Sequence, residues 1–227
     1  MPDDPVASAT HSETNRLGVG LLAVVLLLTS IGGIAVSLWY PDAANGERYS
    51  YAQIRDLRNA WWGWHVFAGV NLILGVCASA VAGWLLVRTR GALLSIVGGS
   101  VMWLGAALYG VGLGALASVF YFGAEPAALN TANGERLLEY AQDHFARLYG
   151  PLLAGAILVA LGTIVLAVAL WRARAVPRWV PILLATIPAT FVASNGIVGV
   201  LAALPLTVGT VALGWYVWAG ARAPEPA

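Results

Sequence analysis

Lysine is absent from the chain. All positive side-chain charge is arginine, twelve residues against eleven acidic ones. Charge of either sign is scarce, 10% of 227 residues, where soluble domains carry about 25%. A chain so poor in charge cannot cover a water-facing surface, which excludes an ordinary soluble domain. The net charge of +1 leaves no basic footprint for nucleic acid. A single cysteine, Cys77, excludes an internal disulfide and a cysteine-built metal cluster. No Asp, Glu or Arg falls inside the long apolar runs. Pumps and ion-coupled transporters usually place ionisable groups there, so a charge-driven pump is disfavoured. No P-loop, GxSxG, HExxH or dinucleotide fingerprint occurs, which removes the enzymes those motifs mark. Residue counting places no histidine deep in the membrane, so a haem carrier, which needs axial ligands at that depth, is disfavoured too. No cofactor is expected.

What the chain does have is apolar residues, 59% of the total, and a mean hydropathy of +0.77. Runs without charge cover 17–41, 59–87, 91–124, 148–171 and 179–221. Each exceeds the ~20 residues that cross a ~30 Å hydrocarbon core. The last run is long enough for two crossings, and Ser194-Asn195-Gly196 is a turn signal inside it. The expected fold is therefore all-α, a polytopic membrane helix bundle with six transmembrane helices in residues 17–219. The helices are expected at about 17–39, 59–87, 93–122, 149–171, 179–193 and 197–218. Pro188 and Pro205 are expected to kink the last two. Residues 1–16 read as a disordered inner tail and 220–227 as a second one. The amino-terminal stretch is mostly acidic and its apolar run is long, so an uncleaved first helix fits better than a signal peptide.

A pattern repeats. Ala-Asn-Gly-Glu-Arg occurs at 44–48 and 132–136, and Tyr-Ala-Gln at 51–53 and 140–142. Residues 44–90 and 132–174 read as one duplicated unit: outer loop, membrane helix, inner basic turn. In the first copy Ser50 and Gln53 have the spacing of a capping box. Ile54, Leu57 and Trp61 then share a face, which predicts a short helix on the membrane surface before the second crossing. In the second copy Asn133 is the expected cap, with Glu135 in the first turn. Gly98, Ala106, Gly110, Gly114 and Ser118, at spacings of four or eight, form an expected small-residue seam on the third helix. Gly75, Ser79 and Gly83 form another on the second.

Arginine placement orients the bundle. The tails and the two basic turns hold Arg16, Arg88, Arg90, Arg172, Arg174, Arg178 and Arg222, seven against four acidic residues. The outer loops hold five arginines against seven acidic residues. The inner side then nets +3 and the outer side −2. Positive charge stays inside, so both termini are expected in the cytoplasm of a cell whose plasma membrane the chain spans.

Candidate chemistry is sparse. His65 and His144 lie at the outer interface by residue counting, and with Glu139 or Asp143 could make a metal or proton site. Their spacing matches no ligand motif, and interfacial hydrogen bonding explains them as well. Asn71 is the deepest strongly polar group of the second helix. It reads either as a substrate contact in a central cavity or as an interhelical hydrogen bond.

Trp171-Arg-Ala-Arg174 followed by Pro177-Arg-Trp179, the short outer loop at 42–58 and the arginine turn after the second helix form a layout with relatives. It resembles the six-helix integral membrane proteins of uncharacterised function found in actinobacteria. The resemblance implies a membrane protein of that kind and carries over no functional residue.

Three functions follow from these residues. The one the sequence favours is a non-enzymatic, structural or accessory membrane protein. The second is a small-molecule transporter or facilitator with a cavity near Asn71. The third is a membrane enzyme or metal protein using His65 and His144. The lipid bilayer is the first partner, and a second membrane protein or another copy of the chain the next. The topology is testable. A reporter fused after Ala227 is expected to be active only if its activity requires the cytoplasm; activity confined to an external-space reporter contradicts both-ends-inside.

Overall fold

Breakers and caps in the sequence mark where each helix begins and stops. The computed structural model describes residues 5–38, 49–192 and 196–221, with side chains from residue 16 onward. In chain order the helices are α1 (Pro5–Leu38), α2 (Tyr51–Leu86), α3 (Ala92–Gly123), α4 (Thr131–Asp143), α5 (Phe145–Ala173), α6 (Trp179–Leu184), α7 (Ile187–Val192) and α8 (Ile197–Gly220). No strand occurs among the described residues. Five helices, α1, α2, α3, α5 and α8, are long and apolar enough to cross a membrane. The segment Trp179–Val192 is a shorter apolar one. Position 39 at the end of the first expected helix, the first Ala-Asn-Gly-Glu-Arg, Ser194, Asn195 and the tail from 222 lie outside the described residues. The stretch read as an inner tail has a helical backbone from Pro5 onward.

The capping box at the start of α2 forms as the sequence predicts. Ser50 accepts the Gln53 amide, and the Gln53 side chain accepts the Ser50 amide at 3.0 Å. The separate surface helix expected next does not form. α2 runs unbroken for 36 residues, ~54 Å at ~1.5 Å per residue, well beyond a bilayer core. No glycine or proline interrupts 51–62, and Tyr51, Ile54 and Trp61 bury themselves against Phe120 and Leu138. Burial on α3 and α4 replaces burial in headgroups. The second copy behaves differently: α4 and α5 part at His144. The cap of α4 is Asn130, whose side chain accepts the Asn133 amide at 2.9 Å. Asn133 is therefore the capped residue and not the cap, and Glu135 lies past the first turn.

Pro188 does more than kink. α6 stops at Leu184, the residue whose carbonyl the Pro188 ring would strike, and Pro188 has no amide to offer it. The chain turns through Ala185 and Thr186 and resumes as α7. At the break the Leu183 carbonyl accepts both the Thr186 amide at 3.2 Å and the Thr186 hydroxyl at 2.7 Å. Pro205, by contrast, stays within continuous α8.

The helices close a ring in the order α1, α2, α3, α5, α6–α7, α8 and back to α1. α1 packs mainly on antiparallel α8. Gly196 donates its amide to the Ser37 carbonyl at 2.9 Å at one end of that pair, and Gly214 lies on Ala23 and Leu26 toward the other. Gly196 has φ +77°, a left-handed conformation that favours glycine.

The tightest packing joins α3 to α5. Gly98 and Gly105 on α3 meet Gly162 and Gly155 on α5 with their backbones in contact, and Gly112 meets the backbone of Leu152. A Cβ on Gly105 would sit 2.6 Å from the Val159 amide nitrogen and 2.8 Å from the Gly155 carbonyl. The expected seam on α3 is thus partly misplaced. Gly98 and Ala106 are buried, but Gly110 faces the Ile73 side chain on α2, Gly114 meets nothing within 4 Å and Ser118 is exposed. Seven residues make two turns, so helices lying side by side return the same face at that interval. Spacings of four or eight drift off it.

Gly105→Val is accordingly expected to lower thermal stability in detergent, by about 1–3 kcal/mol for an overpacked contact, while Gly114→Ala leaves it unchanged. Equal melting temperatures for the two variants would show that the α3–α5 contact is not close.

Candidate functional site

Closing the ring leaves a cavity of about 260 Å³ at its centre. α1, α2, α3, α5, α6, α7 and α8 all contribute to its wall. Leu166 and Leu184, both buried in the main core, line part of it. Toward the end where Ser37 meets Gly196 it reaches Trp64, whose indole donates to the Val36 carbonyl at 3.4 Å. Tyr109 and Phe191 also line it there, with ring centroids 5.7 Å apart.

The wall is rich in hydroxyls for a membrane interior, and most of them spend their protons on nearby carbonyls. Thr29 donates to the Val25 carbonyl at 2.8 Å and Ser30 to Leu26 at 2.7 Å. Thr163 donates to Val159 at 2.8 Å, Thr190 to Ile187 at 2.7 Å and Thr210 to Leu206 at 2.9 Å. Each bonds back to its own helix, the usual solution for a hydroxyl without water. No Asp, Glu, Arg or His lines the cavity.

Asn71 stands in this wall. Its amide donates to the Thr29 carbonyl at 3.1 Å, tying α2 to α1. The side chain fills the space a larger residue at Gly32 would need. The two readings of Asn71 are therefore compatible: it makes the interhelical bond and faces the cavity.

A larger groove, about 870 Å³, lies between residues 18–25 of α1 and 74–85 of α2. Its side chains are apolar apart from Cys77, and Leu21 and Leu74 on its rim are exposed. A groove of that kind suits acyl chains and needs no specific ligand. The smaller, polar cavity is the better site.

The histidines are placed differently from each other. His65 is 2% exposed, stacked on Trp61 at 4.9 Å and edge-on to Trp64 at 4.8 Å. Its Nδ1 lies 2.8 Å from the Trp61 carbonyl, so that nitrogen carries the proton and donates. His144, at the α4–α5 junction, makes the same bond to the Tyr140 carbonyl at 2.8 Å and packs on the Tyr140 ring. Glu139 and Asp143 are exposed on α4. Among the described residues no three His, Cys, Asp or Glu side chains gather as a metal-ligand group.

No family model, curated protein or solved structure matches the chain.

Above the cavity, α4 is fastened across the bundle. The Gln142 side chain accepts the Tyr49 amide at 2.9 Å and donates to the Tyr49 carbonyl at 3.1 Å. Arg58 on α2 pairs with half-buried Glu125 at 3.1 Å. Gly134 leaves room for the Tyr51 ring.

Sequence reasoning found Asn71 and missed the hydroxyls around it. Thr207 and Thr210, three apart on one face of α8, were a local signal. The convergence of Thr29, Thr163 and Thr190 had none, since each sits in a different apolar run.

Among the described residues neither histidine has further ligand side chains gathered around it, so purified protein is expected to contain no metal that depends on His65 and His144. A stoichiometric metal lost in both His65→Ala and His144→Ala, measured by elemental analysis, would contradict this.

Proposed function

We propose that this helical membrane protein is a facilitator for a small uncharged molecule, with the central cavity as its site. One observation carries the reading. A hydroxyl-lined cavity in the membrane sits at a broken helix, with Leu184 of α6 and Ile187, Thr190 and Phe191 of α7 in its wall. Transporters commonly build their sites at discontinuous helices near mid-membrane. The cavity lies just under the ~300–1,000 Å³ range of pockets for drug-sized ligands, so a small solute fits best. The uncharged lining favours an uncharged one, since an unpaired charge at mid-membrane is costly.

The accessory role that the sequence favoured needs no cavity, and a solid bundle would have supported it better. The metal-protein reading lacks companion ligands, since no three His, Cys, Asp or Glu side chains gather among the described residues. The proposal includes six crossings of a plasma membrane with both ends inside. The antiparallel pairing of α1 with α8 supports it, because α6–α7 must then bring the chain from the inner basic turn to the level of Ser37. The layout shared with actinobacterial six-helix proteins is part of the same proposal.

Proteoliposomes test it by light scattering after an osmotic step with small neutral solutes. Wild-type protein is expected to speed solute equilibration above that of empty vesicles. Ala203→Leu, which places bulk into the cavity from a buried position, is expected to return the rate to the empty-vesicle value with the fold intact. A wild-type rate no faster than empty vesicles refutes the reading.

A further inference from the structure

We infer that the cavity selects hydrogen-bond donors: its ligand is a small neutral polyol or amide, presenting O–H or N–H groups, and not a molecule that only accepts. The inference rests on the facilitator reading and adds the ligand's chemistry.

The argument is a proton count. A hydroxyl has one proton and two lone pairs. Thr29, Ser30, Thr163, Thr190 and Thr210 each spend the proton on a carbonyl of their own helix, at 2.7–2.9 Å. Ser37, at the outer rim, does the same toward Gly33 at 3.0 Å. What these six oxygens offer a visitor is lone pairs. They come from α1, α5, α7 and α8, so acceptors face the cavity from several sides. Against them stand few donors. Asn71 has one of its two amide protons on the Thr29 carbonyl, and the hydroxyls of Ser79, Tyr109 and Thr207 can turn either way.

A solute bearing O–H or N–H groups can use those lone pairs without disturbing any existing bond. A solute with acceptors alone meets lone pairs, and to be bound it must pull a hydroxyl away from its helix carbonyl. Leaving its polar atoms unpaired in a dry site is the costly alternative. An anion meets the same opposition with more force. A cation meets favourable oxygens but no carboxylate in the lining to neutralise it.

The probes are glycerol and urea, which donate, and trimethylamine N-oxide, a small neutral molecule that only accepts. Equilibration across wild-type proteoliposomes is expected to rise well above empty vesicles for glycerol or urea, and to stay at the empty-vesicle value for the N-oxide. A rate raised for glycerol alone assigns a polyol, and one raised for urea alone an amide. Thr163→Val, Thr190→Val and Thr210→Val keep the side-chain shape and remove one acceptor each. Each is expected to slow the donor solute about threefold to tenfold, the worth of one hydrogen bond, with an unchanged melting temperature. The wild-type comparison of solutes decides the matter even for a variant that fails to fold. If the N-oxide crosses as fast as glycerol and urea, and Ala203→Leu still stops all of them, donor selectivity is wrong and the facilitator reading stands. If the valine variants all keep wild-type rates, these oxygens do not hold the ligand and the inference falls. If no solute outpaces empty vesicles, both fall together.

Discussion

Backbone contact between α3 and α5 is the constraint on which the bundle depends. Inside a bilayer, apolar surface has little to gain by leaving lipid, so helices associate through close packing and hydrogen bonds. Glycines at 98, 105, 112, 155 and 162 supply that closeness, with carbonyls and amides of one helix where side chains would otherwise stand on the other. The pair forms a rigid wall. α2 then lays Gly69 on Leu113 of α3 and Gly83 on Leu166 of α5, extending the wall on the opposite side from α6–α7. α1 and α8 close the ring against each other.

The cavity follows from unequal packing around the ring. Glycine contact removes space between α3 and α5; a proline-broken segment cannot remove it on the far side. Pro188 stops α6 at Leu184, and the resumed turns of α7 present Thr190 and Phe191 inward. Polar groups in such a place must be satisfied from within the protein. Serine and threonine manage this locally by bonding to their own helix, which makes them tolerable in an apolar bundle. The same bond fixes what they show to the cavity, which is lone pairs.

The repeated Tyr-Ala-Gln is put to two uses. Gln53 stays at home and caps α2 through Ser50. Its counterpart Gln142 reaches across to the backbone of Tyr49. The two glutamines thus serve adjacent residues from opposite units, which binds the capped start of α2 to the helix lying over it. Arg58 and Glu125 add a partly buried ion pair beside this joint. Its exposure keeps its contribution small, but it sets the register of α2 against the loop after α3.

The sequence by itself determined the class, the long helices and several of their ends. Scarce charge and long apolar runs dictate membrane helices, and Ser50 with Gln53 dictates where α2 starts, because these are local matters of solvation and of amides three residues apart. It also marked Asn71, since a lone amide in an apolar run must find a partner. Tertiary structure decided the rest. That α2 absorbs its amphipathic start, where the second copy breaks at His144, depended on Phe120 and Leu138 being present to bury Tyr51 and Trp61. Which glycines form the seam depended on two helices running side by side, a choice that favours intervals of seven over four. The cavity was hidden for the same reason. Thr29, Thr163, Thr190 and Thr210 are far apart in the chain, and a hydroxyl bonded to its own helix looks the same in sequence whether it faces lipid or a ligand. Only the closure of the ring turns those oxygens toward one another.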